Sequence, residues 1–170
     1  MNSTLKISFD RAALPKSGVL VAFASEGGAL GPMAAQVDKA SGGHLSRAMR
    51  AAGFDGKKEQ VLDLVAPGPG LDRLILMGLG NPGALTGREI ELLGGAIAGT
   101  LQAVKAKAAA VAPMHGVTAL DAAATAAHLA SGASLRCYSF SAYKTKGNGK
   151  GNVLAAVSIL CADAPAARKA

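Results

Sequence analysis

Apolar positions along the chain come in blocks with two different periods. Leu5 to Phe9 alternates, as a half-buried strand does. Val19 to Phe23 is a continuous apolar run of the kind central parallel strands show. Gln60 to Val65, Leu71 to Met77, Ala108 to Ala112 and Val153 to Leu160 read as four further strands, the Ala-rich one ended by Pro113. Only Pro67 to Gly70 separates the third strand from the fourth. So short a link favours antiparallel neighbours, because parallel ones need a crossover.

The other period is helical. Leu30 to Ala40 and His44 to Ala52 form two short helices split by Ser41-Gly-Gly43, and Leu120 to Leu135 forms an Ala-rich helix that Asp121 helps to start. Thr86 and Glu89 have capping-box spacing, with Ile90, Leu93, Ile97, Leu101 and Val104 behind them on one stripe. Lys105 and Lys107 fall in the expected last turn of that helix. Gly94, Gly95 and Gly99 each cost it about 1 kcal/mol relative to Ala. The expected return is close approach to the sheet.

Six strands and four helices, joined mostly by helical crossovers, predict an α/β fold. It is a three-layer α/β/α sandwich on a mixed, mostly parallel sheet. No repeat and no second composition regime interrupts it, so residues 1–161 read as one domain. Residues 162–170 are small, polar and Pro-broken, as the start of a linker would be.

Composition adds two points. Aromatics make up 4% and Trp is absent, so the core must be built from Leu, Val, Ile and closely approaching Ala and Gly. The net charge of +7 is unevenly spread. No carboxylate lies between Asp121 and Asp163, whereas Arg136, Lys144, Lys146 and Lys150 do. Either this is a solvated loop, or Lys144, Lys146 and Lys150 form a phosphate-contacting, nucleic-acid-binding surface with Tyr138, Phe140 and Tyr143 nearby. The solvated loop is the favoured reading. No apolar run nears the ~20 residues that span a bilayer, and no signal-type apolar stretch follows Met1, so no membrane partner is expected and the cytoplasm is the default compartment. Cys137 and Cys161 lack metal-ligand spacing and read as buried free thiols.

The candidate chemistry centres on Gly78-Leu-Gly80-Asn-Pro-Gly83, which formally spells a dinucleotide fingerprint between a strand and a helix. Gly78, Gly80, Asn81 and Gly83 are the candidate anion or nucleotide site. Two features argue against a dinucleotide. The cap places the helix start at Thr86, beyond the last glycine, and no acidic residue stands about 20 positions on. A packing turn is the favoured alternative. His44, His115 and His128 have no partners at metal-ligand spacing, and the carboxylates are scattered singly. No catalytic or metal-binding residue is assigned.

Two stretches carry a family resemblance: Arg73 to Gly80 followed by Glu89 and the Gly-rich helix, and Gly132-x-x-Leu135-x-x-Tyr138-x-Phe140-x-x-Tyr143-Lys144. Together they resemble the N-terminal domain of the leucyl (cytosol) aminopeptidases, over essentially the whole chain. Ser131 and Ser141 stand where that family often carries acids. The resemblance implies a macro-domain-like fold that precedes a C-terminal catalytic domain of the same polypeptide. It also implies a homo-hexameric enzyme acting on peptide substrates, with two divalent metals (Zn or Mn) held by that other domain. This chain is then an accessory domain for assembly and regulation, inactive alone and without a cofactor of its own. The alternatives are a macro-type module holding ADP-ribose or a related nucleotide at Gly27, Gly28 and Gly78 to Gly83, or the weak nucleic-acid binder above.

Overall fold

The computed structural model describes residues 5–68, 70–142 and 154–170. Among the described residues seven strands form one sheet: β1 (Lys6–Arg11), β2 (Gly18–Ser25), β3 (Ala29–Leu30), β4 (Val61–Gly68), β5 (Leu71–Gly78), β6 (Ala108–Val111) and β7 (Ala156–Cys161). Their order is β1-β7-β6-β2-β5-β4, with β3 attached to β2. The pairs β1/β7, β7/β6, β6/β2 and β2/β5 are parallel, whereas β4 joins β5 antiparallel, with Val61 opposite Met77. This antiparallel pairing is the one that the short connection between the two strands predicted.

Helices cover both faces, giving the three layers expected. On one side, α3 (Gly87–Ala103), α4 (Ala122–Ala142) and α5 (Ala164–Ala167) enclose a core containing Val21, Phe23, Ile75, Ile90, Ile97 and Leu101. On the other, α1 (Pro32–Ala40) and α2 (His44–Ala52) cover Leu20, Leu74, Leu76 and Leu45. The strands alternate between these two cores, so β2 and β5 are buried on both faces, as central parallel strands are.

Four local expectations are revised. Leu30 belongs to β3 rather than to a helix, because Gly31 caps α1 and Pro32 supplies its first turn. Helix α3 ends at Ala103, and Lys105 lies beyond it in the left-handed region (φ 58°), so neither Lys105 nor Lys107 serves its last turn. Residues 162–170 contain α5, capped by Asp163, and Arg168 Nη2 donates to Phe9 O at 2.8 Å, holding this segment onto β1. The fourth concerns the α3 glycines, which face α4 and not the sheet. A Cβ on Gly94 would lie 2.2 Å from Leu129 O, and one on Gly132 of α4 would lie 1.8 Å from Glu91 O. Helix-on-helix contact is what the small residues permit. Cys137 and Cys161 are both buried, as expected, and neither is disulfide-bonded among the described residues; burial pushes the Cys161 thiol up.

Candidate functional site

The turn after β5 brings Gly78, Gly80, Asn81 and Gly83 together at the C-terminal end of the parallel strands, where α/β folds place ligands. The amides of Gly78, Leu79, Gly80 and Gly83 already have partners. Gly78 N donates to Gln60 O, Leu79 N to Ala24 O and Gly80 N to Gly56 O, each at 2.9 Å. Gly83 N donates to Asn81 Oδ1 at 3.0 Å, which caps a single 3-10 turn over Pro82–Ala84. Thr118 Oγ1 donates to Gly83 O. The loop of residues 53–60 lies directly over the turn, and a Cβ at Gly78 would meet Lys57 O at 1.9 Å. Gly78 is small because another main chain presses on it, whereas Gly80 takes a left-handed φ of 64°. At the neighbouring loop, Gly28 N donates to Asp55 O and Ser25 O.

The N-terminus of α3 is closed by its own carboxylate. Thr86 Oγ1 accepts from Glu89 N at 3.3 Å, while Glu89 Oε2 accepts from Thr86 N at 2.8 Å, completing the predicted capping box. Lys58 Nζ, from the overlying loop, donates to the other oxygen of Glu89. That ammonium, with the Thr86 bonds, holds the Glu89 carboxyl down at about 2. The positive end of the helix thus has an internal anion where a phosphate would otherwise sit. The N-cap Thr86 stands three residues beyond Gly83, across the 3-10 turn, where the capping-box spacing put it. Sequence reasoning missed Lys58, because nothing local relates it to a residue 31 positions away.

The histidines remain apart: His44 opens α2, His115 lies on the loop after β6, and His128 is within α4. Neither ring nitrogen of His115 has a hydrogen-bond partner, and burial pushes its pKa down. Among the described residues no group of three His, Cys, Asp or Glu side chains converges as metal ligands, so a two-metal centre does not fit them. No helix among the described residues is long and apolar enough to cross a membrane. Lys144, Lys146 and Lys150 lie outside the described residues.

A depression of about 400 Å³ that the sequence did not announce runs between β4 and α3, lined by Lys58, Val61, Met77, Leu79, Glu89 and Leu92. It is largely apolar, and the Lys58–Glu89 ion pair at its rim is already engaged in capping α3.

The model of the cytosol aminopeptidase family's N-terminal domain matches residues 19–147. The chain belongs to the cytosol aminopeptidase family. It is 39% identical to a probable cytosol aminopeptidase of Bradyrhizobium sp. and 36% identical to one of Rhodopseudomonas palustris. Both comparisons cover 100% of this chain and 34% of the relative, so the chain spans about a third of these family members. Among solved structures, a tomato leucine aminopeptidase mutant superposes with a TM-score of 0.76 at 24% identity, covering 99% of this chain and 35% of that one. A Trypanosoma brucei macrodomain in complex with ADP gives 0.69 at 12% identity, covering 96% and 68%. Both likenesses concern the fold. The family's N-terminal domain is therefore macro-like here, as the resemblance implied.

Proposed function

We propose that this chain is the accessory N-terminal domain of a metal-dependent leucyl aminopeptidase that removes N-terminal residues from peptides in the cytoplasm. The observation that carries this reading is one of coverage. The chain matches its relatives from end to end yet spans only 34% of them, and its described residues bring no metal ligands together. The chemistry then belongs to a C-terminal domain of the same polypeptide. Its two divalent ions, Zn or Mn, would activate a water there. This domain's role is to support assembly of a homo-hexamer and to shape access to the active sites. The test has two arms. The complete polypeptide should hydrolyse Leu-p-nitroanilide when Mn²⁺ or Zn²⁺ is supplied, and the 170-residue chain should not. Metal-dependent turnover by this chain alone, proportional to its concentration, overturns the reading.

The likeness to a macrodomain that binds ADP supports a second reading, a nucleotide-binding module. Against it stand the committed amides of Gly28, Gly78, Gly80 and Gly83.

A further inference from the structure

The parallel strands β6 and β7 end beside one another, at Val111 and Cys161. This is the end of the sheet at which α/β folds place ligands. A cavity of about 130 Å³ opens there, lined by the loop that joins β6 to α4 and by the first turns of that helix. Small residues leave the space: Ala112, Gly116 in its left-handed bend (φ 73°), and Ala122 and Ala126 on α4. Leu129 and Ile159 supply apolar walls.

The cavity's polar groups are few, and they are uncommitted. Thr125, which lines it, is the one buried polar side chain among the described residues, at 5% exposed. No hydrogen bond engages its hydroxyl among them, and unlike the ring nitrogens of His115 that oxygen is not sealed. Protein interiors rarely leave a hydroxyl in this state, because the hydration it gives up is not replaced. On the loop, the main-chain amides of Met114, Gly116 and Val117 donate to no protein group among the described residues, in contrast to those of Gly78, Gly80 and Gly83.

The surroundings select the charge of the occupant. No lining side chain is charged, and burial keeps the Cys161 thiol protonated. Asp121 Oδ1 accepts from Ala124 N at 2.7 Å, so the N-terminus of α4 already holds its own anion and repels a second. A cation finds no carboxylate within the apolar walls. We propose that this cavity binds a small neutral molecule, a branched aliphatic body carrying one acceptor oxygen of an amide or alcohol. The oxygen accepts from the Thr125 hydroxyl and a loop amide, and the body lies against Leu129 and Ile159. The volume sets the size at about six non-hydrogen atoms, since a cavity of ~150 Å³ holds benzene. The inference rests on this cavity alone and does not depend on the peptidase reading.

Titration of the purified chain with isobutyramide, followed through its amide chemical shifts, tests it. The expected Kd is on the order of 1 mM, ordinary for so few atoms. Shifts should concentrate at residues 112–126 and 159–161 and be absent at Val61 and Leu92, which line the separate depression beside β4. Isobutyrate and isobutylammonium share the branched body but carry a charge, and each should bind at least ~10-fold more weakly. Thr125→Val keeps the side-chain shape without the hydroxyl and should weaken isobutyramide by ~3–10-fold, whereas Thr125→Ser should retain most of the affinity. A cooperative melting transition checks that each variant is folded. The absence of saturable binding, equal binding of the three probes, or an affinity indifferent to Thr125→Val overturns the proposal.

Discussion

Gly132 of α4 lies so close to Glu91 of α3 that a Cβ there would fall 1.8 Å from the Glu91 carbonyl oxygen. The obstacle is main chain, which cannot rotate away as a side chain can, so the two helices would have to separate. Gly95, one turn along α3, is different: an added Cβ there would find Gly132 O at 3.5 Å and Arg136 Cβ at 3.8 Å, which is ordinary contact.

The two positions should consequently respond in opposite directions to the same substitution. Gly132→Ala is expected to destabilise the domain by about 3 kcal/mol through overpacking. Gly95→Ala should stabilise it by about 0.5–1 kcal/mol, because Ala is the better helix former and nothing blocks it. Urea unfolding of both variants gives the comparison directly, and equal effects would show that helix propensity outweighs contact at this crossing.

Glu89 gives a pH signature. Its carboxyl is held at about 2 against an ordinary 4.5. A carboxylate with a depressed native pKa contributes stability that is fully present above its unfolded value and lost as pH falls through its folded value. In Glu89→Gln the amide can still cap Thr86 but carries no charge for Lys58. The melting temperature of this variant should therefore lie below wild type at pH 7, with the gap closing between pH 4.5 and about 2.

Much of this region is legible in the sequence because its determinants are local. Thr86 and Glu89 stand three residues apart and form the cap that their spacing predicts. The Pro67–Gly70 link is too short for anything but an antiparallel return. What the sequence hides is pairing across distance. The glycines of α3 announce a close neighbour but cannot say which, and that neighbour is α4. The amides of Gly78 and Gly80 look available to an anion until the loop carrying Gly56 and Gln60 is laid over them. Residues 162–170 have the composition of a linker, yet Arg168 bonds to a carbonyl near the other end of the chain.

His115 should make stability acid-sensitive at a higher pH than Glu89 does. Burial lowers its pKa from an ordinary 6.5, so the unfolded chain takes up a proton before the folded one. Stability is then fully present above pH 6.5 and declines below it, until the folded state also protonates. His115→Leu keeps the site apolar and removes both unpartnered ring nitrogens. Between pH 7 and 5 its unfolding free energy should fall less steeply than that of wild type, as measured by urea titrations at several pH values.

The committed amides of the Gly78–Gly83 turn lead to a binding expectation. NAD should not bind more tightly than about 100 μM, a threshold worth ~5.5 kcal/mol, because an incoming pyrophosphate would have to displace main-chain bonds and the Glu89 carboxylate. Calorimetric titration of the wild-type chain checks this. Tighter binding that vanishes in Gly80→Val would identify the turn as a nucleotide site after all.

Among the described residues strand β1 pairs with β7 alone, with Lys6 facing Ala156, roughly 150 residues later. Of all the elements in this sheet, the one synthesised first is completed last. At ~5–20 residues per second, about 8–30 s of translation separate the emergence of Ile7 and Phe9 from that of the strand beside which they settle. During that interval β2, β5 and β4 can assemble without them, since those three strands lie side by side and close together in the chain. The nascent polypeptide therefore carries an apolar forward segment with no native partner, and the ribosome, rather than the finished fold, is where β1 is most exposed to mispairing.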